Sequence, residues 1–156
     1  MPDGLSFQAD DPARAPVADL LARHHAMMRA GSPPDSCHVR TAEELVGGGA
    51  QVFSITDAGG AVVAVGGLSP VAPDHLELKS MHVAAGLRGT GIGAHLLARM
   101  IEAAARAGAT RLSLETGSGP DHAAARAIYA RAGFAPCPPF GSYRPDPLSV
   151  FMTMAL

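Results

Sequence analysis

The sequence predicts a single α/β domain, residues 1–156, in which helices flank a mixed β-sheet. Three observations support this prediction. Strand-like and helix-like segments alternate along the chain in the order β-α-α-β-β-β-α-β-α-β-β. A glycine-rich turn joins a predicted strand to a long amphipathic helix. The length suits one domain that buries about two thirds of the surface of its unfolded chain.

The first half of the chain is predicted to form four strands and two helices. A strand at residues 5–9 precedes a helix at 12–29, whose apolar residues recur at helical spacing. Thr41, with Glu44 three residues later, is typical of a capping box at the start of a short helix. Segments rich in Val and Ile flank a Gly-Gly turn and predict an antiparallel hairpin, which a further strand follows. These three strands are predicted at residues 51–56, 61–68 and 74–83.

The second half contains the helix with the clearest pattern, at residues 91–107. Its apolar side chains follow one face, and a glycine lies just beyond its end. A strand at residues 111–116 comes next. Ser118 and Asp121 then form the pattern of a capping box, with Pro120 in the first turn of a last helix that ends at Gly133. Two further strands complete the predicted sheet.

Composition excludes several classes of partner. The net charge is −2 with both signs spread along the chain, and tryptophan is absent, so no nucleic-acid partner is expected. No apolar run approaches the ~20 residues that span a bilayer, and the N-terminal residues do not resemble a signal peptide, so we expect a soluble cytoplasmic protein without a membrane partner. Cys37 and Cys137 are isolated in the sequence and are predicted to be reduced thiols.

A glycine-rich turn led by an arginine is the most informative motif. Glycines allow positive φ angles and a close approach of the backbone to a ligand, and a helix N-terminus offers unpaired N–H groups and the positive end of its dipole. The motif therefore predicts a site for an anionic cofactor, although a single such glycine would indicate only an ordinary turn. Its residues are Arg88, Gly89, Thr90, Gly91, Ile92, Gly93 and Ala94.

The same letters fit the G-x-G-x-x-G/A pattern of dinucleotide-binding folds, with Glu115 at a suitable distance to bind a ribose. Two conditions of that fold are missing. Five residues, 84–88, separate the predicted strand from Gly89, and too few residues follow the motif for a second nucleotide-binding half. The Lys-Ser/Thr ending of a nucleoside-triphosphate P-loop is also absent.

The strand, spacer, turn and helix together resemble the acetyl-CoA-binding segment of the GNAT superfamily, whose members transfer an acetyl group from coenzyme A to an amine. The resemblance extends over residues 76–134 and includes Tyr129 and the ending Gly-Phe of the last helix. Residues 139–143 and 147–152 are similar to one subgroup of small bacterial GNAT proteins. The resemblance implies a mostly antiparallel sheet of six to seven strands with about four helices, acetyl-CoA as co-substrate, a small-molecule or peptide amine as acceptor, and homodimer formation.

The resemblance also implies which residues bind the cofactor. Backbone N–H groups of residues 88–94 would bind the pyrophosphate, with the Arg88 side chain adding a charge-assisted contact. In the strand before the turn, main-chain N–H groups of Met81, His82 and Val83 would bind the pantetheine arm and the thioester oxygen. The side chains of Met81 and Val83 fit a core position equally well, and His82 is also explained as a partly buried strand residue. His122 stands where many relatives have an asparagine that binds the pantetheine amides.

Two residues are candidates for proton transfer. The resemblance assigns Tyr129 the role of donor to the departing thiolate, although a tyrosine in a helix also serves for packing. Glu77 lies where several relatives have a catalytic glutamate and would accept the ammonium proton, directly or through water. An ordinary ion pair of Glu77 with Lys79 is the alternative. Glu115 is a second candidate for the base, although it could instead brace the next loop. Some relatives use only an ordered water, in which case no side chain would be an essential base.

The acceptor side is defined only by analogy, between the first helix and the C-terminal loop. Substrate-contact candidates are His25, Met28, Glu115, Tyr143 and Arg144, with His24 and Ser32 nearby. Adjacent histidines cannot share one helix face and no second ligand pair follows, so no metal is predicted, and both histidines are interpreted as surface residues. Two rival hypotheses are a non-catalytic acyl-CoA-binding regulatory module and a nicotinamide or flavin oxidoreductase.

Overall fold

The computed structural model describes residues 4–31 and 41–156, and it confirms the predicted α/β class and the predicted order of elements. Seven strands form one sheet, and the described helices lie on its two faces. The strands are β1 Ser6–Ala9, β2 Gln51–Thr56, β3 Val62–Ala72, β4 His75–Val83, β5 Arg111–Gly117, β6 Ala135–Pro136 and β7 Ser149–Ala155. The helices are α1 Ala15–Gly31, α2 Ala42–Gly47, α3 Ile92–Arg106 and α4 Ala123–Ala132.

The sheet is mostly antiparallel, with the strand order β1-β2-β3-β4-β5-β7-β6. Among the described strands only β4 and β5 pair in parallel, and α3 crosses over between them. β3 is longer than predicted and continues to Ala72, past Ser69 and Pro70, which are typical of a turn. An irregularity in register between Pro70 and Ala72 accompanies the proline, which has no N–H to donate to the ladder.

Two hydrophobic clusters fill the space on the two sides of the sheet. The smaller contains residues of α1 and α2, including Val17 and Leu45, packed on Val52 of β2. The larger contains α3 and also Phe53, the next residue of β2, because successive side chains of a strand point to opposite faces. Gly66 of β3 allows α3 to approach, since a Cβ atom there would lie 2.5 Å from Met100 Sδ.

One of the two predicted capping boxes is confirmed. Thr41 Oγ1 accepts a hydrogen bond from Glu44 N at 3.1 Å, and Glu44 Oε1 accepts one from Thr41 N at 3.3 Å. The box predicted at Ser118 is wrong. Its hydroxyl donates to Pro147 O at 2.8 Å, and a 3-10 turn, Pro120–His122, precedes α4. A tertiary acceptor has replaced the local one, which the short sequence pattern could not reveal.

The parallel pair β4–β5 separates before β4 ends. Its register runs from His75 opposite Arg111 to Leu78 opposite Leu114, whereas β4 continues to Val83 along β3 alone. A bulge accompanies the separation: two residues of β4, Ser80 and Met81, face the stretch around Gly66, and Ser80 has a φ of 55°. Bulges bend the strand that carries them. The sheet is therefore open between β4 and β5, next to the turn that leads to α3.

Among the helices in residues 4–31 and 41–156, none is both long and apolar enough to cross a bilayer.

Candidate active site

The glycine-rich turn presents the N-terminus of α3 to open space. Gly89 and Gly91 have φ angles of 79° and 92°, and a Cβ atom at either position would meet nothing within 4 Å. These glycines are therefore required by the backbone conformation, and the volume in front of them is free for a ligand. α3 has no side-chain cap and no acidic residue in its first turn. Its first N–H groups suit an anion such as a pyrophosphate.

The Arg88 side chain lies against β4 and α1. One guanidinium nitrogen is 3.4 Å from His82 Nε2 and 3.7 Å from Met27 Sδ. The sequence predicted a contact of this side chain with phosphate and did not predict these two neighbours. Arg88 thus links the glycine-rich turn to α1 on the opposite face of the sheet.

The three residues predicted to serve the pantetheine arm lie in the open part of β4. Met81 and Val83 are partly buried and pack their side chains against the larger hydrophobic cluster, while their backbone lies on the edge of β4 that β5 leaves unpaired. His82 points the other way, is buried, and contacts His24 of α1 with 3.3 Å between the two Nδ1 atoms. The core interpretation of the Met81 and Val83 side chains is therefore the one the packing supports.

The two histidines are uncharged at neutral pH. Burial, followed by the positive charges of His82, His25, His122 and Arg88, lowers the pKa of His24 to about 3. Burial and the charge of Arg88 also lower the pKa of His82. The interpretation of His24 as a surface histidine is wrong, because helix α1 turns this ring onto β4. No group of three metal-ligating side chains occurs among the described residues.

His122 lies beside the opening of the sheet, immediately before α4. Its ring occupies the space above Gly117 at the end of β5, where a Cβ atom would be 2.2 Å from His122 Cδ2. A side chain at position 117 would displace the ring. The His122 ring thus lies at the carboxyl end of the strand that separates from β4.

Tyr129 lies on α4, half-buried, with its ring packed at an angle on Phe134 at a centroid distance of 6.0 Å. Within the part of the chain that the structure describes, no side chain or backbone group bonds to its hydroxyl. Burial, with a smaller contribution from the negative charge of Glu115, raises the pKa of Tyr129 to about 12. The phenol therefore keeps its proton throughout the neutral range and has it available for a ligand.

Glu77 is the centre of a polar cluster on β4. Its side chain is buried; Tyr143 Oη donates to Oε2 at 2.5 Å, and Lys79 Nζ lies 3.4 Å from Oε1. Lys79 Nζ also donates to Tyr143 Oη at 3.4 Å. The ion pair with Lys79 that the sequence suggested as an alternative is present. The contact with Tyr143, 66 residues away, had no signal in the sequence.

A cavity of about 1120 Å³ opens over this cluster, between α1, α2, the end of β3 and the loop before β7. Three of the predicted acceptor residues, His25, Tyr143 and Arg144, line it. Met28 and Glu115 are not among the described lining residues, and Ser32 falls outside the described ranges. Glu115 instead accepts a hydrogen bond from Ser149 Oγ at 2.7 Å, at the start of β7. Four charged residues line the cavity that were not predicted to lie at the acceptor site: Arg29, Glu44, Lys79 and Asp146.

A mostly antiparallel sheet that opens beside a glycine-rich helix N-terminus, with a large cavity over the same strand, is the fold shared with an acyl-CoA N-acyltransferase structure. The model of the Acetyltransferase (GNAT) family matches residues 19–134. This chain belongs to that family of N-acetyltransferases.

Relatives match over nearly the whole chain. YsnE of Bacillus subtilis (strain 168), an uncharacterized N-acetyltransferase, is 36% identical over 152 residues, which is 97% of this chain and 100% of that protein. An IAA acetyltransferase of Azospirillum brasilense is 33% identical over 154 residues, which is 97% of this chain and 98% of that protein.

Solved structures agree in fold. A protein from Klebsiella pneumoniae subsp. pneumoniae MGH 78578 that is named as an acyl-CoA N-acyltransferase superposes with a TM-score of 0.79 at 27% identity, with 97% of each chain covered. A GNAT acetyltransferase from Elizabethkingia anophelis, solved with acetyl-CoA bound, superposes with a TM-score of 0.74 at 16% identity, covering 99% of this chain and 100% of that one.

Proposed function

We propose that this protein transfers the acetyl group of acetyl-CoA to a primary amine of a small molecule or peptide, by direct attack within a ternary complex. The arrangement of β4 carries the proposal. One end of this strand places Glu77 in the large cavity, the other end leads to the glycine-rich turn, and the edge between them is open. Acceptor and cofactor would therefore meet along a single strand.

Residues around the turn suit acetyl-CoA, which supplies an activated acetyl thioester when bound. The uncapped N–H groups at the start of α3 and the guanidinium of Arg88 would hold the pyrophosphate. The open backbone of Met81, His82 and Val83 would bind the pantetheine arm, with His122 beside it. Acetyl-CoA bound to the Elizabethkingia relative is consistent with this assignment.

Glu77 is the proposed general base. Tyr143 and Lys79 hold its two oxygens in place, yet a carboxylate has about four lone-pair sites, so it can still accept a proton from the ammonium group or from a bridging water. Glu115 has the weaker claim, because it lies outside the described cavity lining and is engaged by Ser149.

Tyr129 is the proposed proton donor to the departing sulfur. Its raised pKa ensures that the proton is present, and its hydroxyl is not occupied by another described residue. Within the described residues, Cys137 is not suited to an acyl-cysteine route, because it does not line the cavity and burial raises the pKa of its thiol. The single-domain organisation, the cytoplasmic location and the homodimer stay predictions.

Calorimetric titration with acetyl-CoA and, separately, with NADH tests the cofactor, and thiol release from acetyl-CoA with a panel of amines tests the reaction. We expect binding of acetyl-CoA and not of NADH, and amine-dependent thiol release. Binding without thiol release by any amine would favour the regulatory-module hypothesis. Failure of the folded protein to bind acetyl-CoA would refute the proposed function.

A further inference from the structure

We infer that the acceptor amine also carries an oxyanion, most simply a carboxylate, which Arg29 and Arg144 receive in the large cavity. This inference rests on the proposed function, because it treats that cavity as the acceptor site. Its basis is the way in which the charged groups of the cavity are paired.

Two cations of the cavity form no ion pair with an acidic residue of the described ranges. Lys79 is matched with Glu77 at 3.4 Å, whereas Arg29 and Arg144 form no ion pair or hydrogen bond with any residue in 4–31 or 41–156. Both guanidinium groups belong to exposed residues at the edge of the cavity. A guanidinium presents five donors in a planar fork, which matches the two oxygens of a carboxylate or phosphonate.

The other acidic groups of the cavity are engaged in local structure. Glu44 accepts from Thr41 Oγ1 at 3.0 Å as part of the cap of α2, and Asp146 Oδ1 accepts from Leu148 N at 2.9 Å in the loop before β7. Neither is within ion-pair distance of Arg29 or Arg144 among the described contacts. An anionic group of the acceptor would supply the partner that the described residues do not provide.

The positions of the two arginines also suit a dipolar acceptor. Arg29 lies in the last turn of α1, one turn after His25, so both side chains face the cavity. Arg144 follows Tyr143, whose hydroxyl is bonded to Glu77. The carboxylate of Glu77 lies inside the cavity and the guanidinium groups lie at its edge. An acceptor with an amine at one end and an oxyanion at the other would place each charge beside an opposite one.

Thiol release with matched amines tests the inference. Each set contains an amino acid, its amide, the amine without the carboxylate and the phosphonate analogue. We expect a kcat/KM at least tenfold higher for the acids than for the matched neutral amines. Because each variant removes a charge-assisted hydrogen bond that solvent partly screens, Arg29→Gln and Arg144→Gln should each raise KM for acids about tenfold with little change in kcat.

Controls separate a specific contact from a general effect of charge. Arg106→Gln, at the exposed end of α3, should leave every KM unchanged, and Arg144→Lys should restore part of the loss. The two arginine variants should raise KM for the acids several-fold more than KM for the matched neutral amines, and comparison of carboxylates with phosphonates shows which oxyanion is preferred.

Equal use of acids and neutral amines, unchanged KM for acids in the two variants, or no turnover of any acid while acetyl-CoA still binds would each overturn the inference and leave the proposed cofactor intact. Absence of acetyl-CoA binding would instead refute the proposed function itself.

Discussion

The Nδ1 atoms of His24 and His82 lie 3.3 Å apart. Together with the neighbouring Arg88, this contact assigns the ring nitrogen that carries the proton in each histidine. Arg88 has only donors, so His82 Nε2, 3.4 Å away, must accept, and the proton of His82 is therefore on Nδ1. That proton is donated to His24 Nδ1. The arrangement requires two neutral rings, in agreement with the lowered pKa of each. Helix α1, strand β4 and the glycine-rich turn are joined through these contacts.

Acidification should destabilise the fold through His24. Its pKa is lowered to about 3 in the folded protein but is about 6.5 when unfolded, so the unfolded state takes up the proton first. The stabilisation is present above pH ~6.5 and is lost as pH falls towards 3. We expect the free energy of unfolding to decrease by about 1–2 kcal/mol between pH 7 and pH 5, measured by urea denaturation.

His24→Phe should reduce that decrease, because the variant keeps a ring and removes the titrating group. His95→Phe, on α3, serves as the matched control and should retain the dependence of the wild type. An unchanged dependence in His24→Phe would contradict the assignment of the effect to His24.

Gly91 should be essential for acetyl-CoA binding beyond its effect on stability. Gly108, at the other end of α3, has the same φ of 92° and equally open surroundings. Alanine at either position should cost about 1–2 kcal/mol of stability through backbone strain. Only Gly91→Ala should also raise the Kd for acetyl-CoA, at least tenfold by calorimetry. Equal Kd values in the two variants would show that the turn does not bind the cofactor.

The two tyrosines of the chain should separate catalysis from stability. Tyr129→Phe removes a hydroxyl without a described partner, so the melting temperature should change little while kcat falls about 100-fold or more. Tyr143→Phe removes a hydrogen bond to the Glu77 carboxylate and should lower the free energy of unfolding by about 1.5–3 kcal/mol. Full activity of Tyr129→Phe would exclude it as the proton donor.

Alkaline stability gives an independent check on Tyr129. Its pKa is raised from 10 to about 12, so the unfolded state loses the proton first and the free energy of unfolding should decrease as pH rises from 10 to 12. This decrease should be weaker in Tyr129→Phe. The same alkaline decrease in wild type and variant would contradict the raised pKa.

Glu77→Gln should lower kcat/KM by about 100-fold or more, because the amide can accept a hydrogen bond from Tyr143 but cannot take up a proton. Glu115→Gln should remain within a few-fold of wild type, and Glu102→Gln on the surface of α3 should match it. Rates are measured by thiol release once an acceptor is known. If kcat/KM fell about 100-fold in Glu115→Gln and stayed within a few-fold of wild type in Glu77→Gln, the general base would be Glu115.

Local patterns predicted much of the fold. The helical period identified α3 within a residue of each end, and the Thr41–Glu44 box was correct because both partners lie within one helical turn. The capping box predicted at Ser118 was wrong for the opposite reason. The Ser118 hydroxyl donates to the carbonyl of Pro147, 29 residues away, and a short pattern carries no information about such an acceptor. Membership of the GNAT family was also predicted, because the glycine-rich turn and the Tyr129 helix are contiguous motifs.

The sequence by itself determined the alternation of strands and helices, the glycine-rich turn before α3 and the identity of the family, because each depends on residues close together in the chain. Tertiary structure alone decided which side chains share a site. It brought Tyr143 to Glu77, turned His24 onto His82, removed Met28 and Glu115 from the described cavity lining and added Arg29 and Lys79 to it. Those contacts depend on how α1 and the loop before β7 pack on the sheet, and packing is a property of the whole fold.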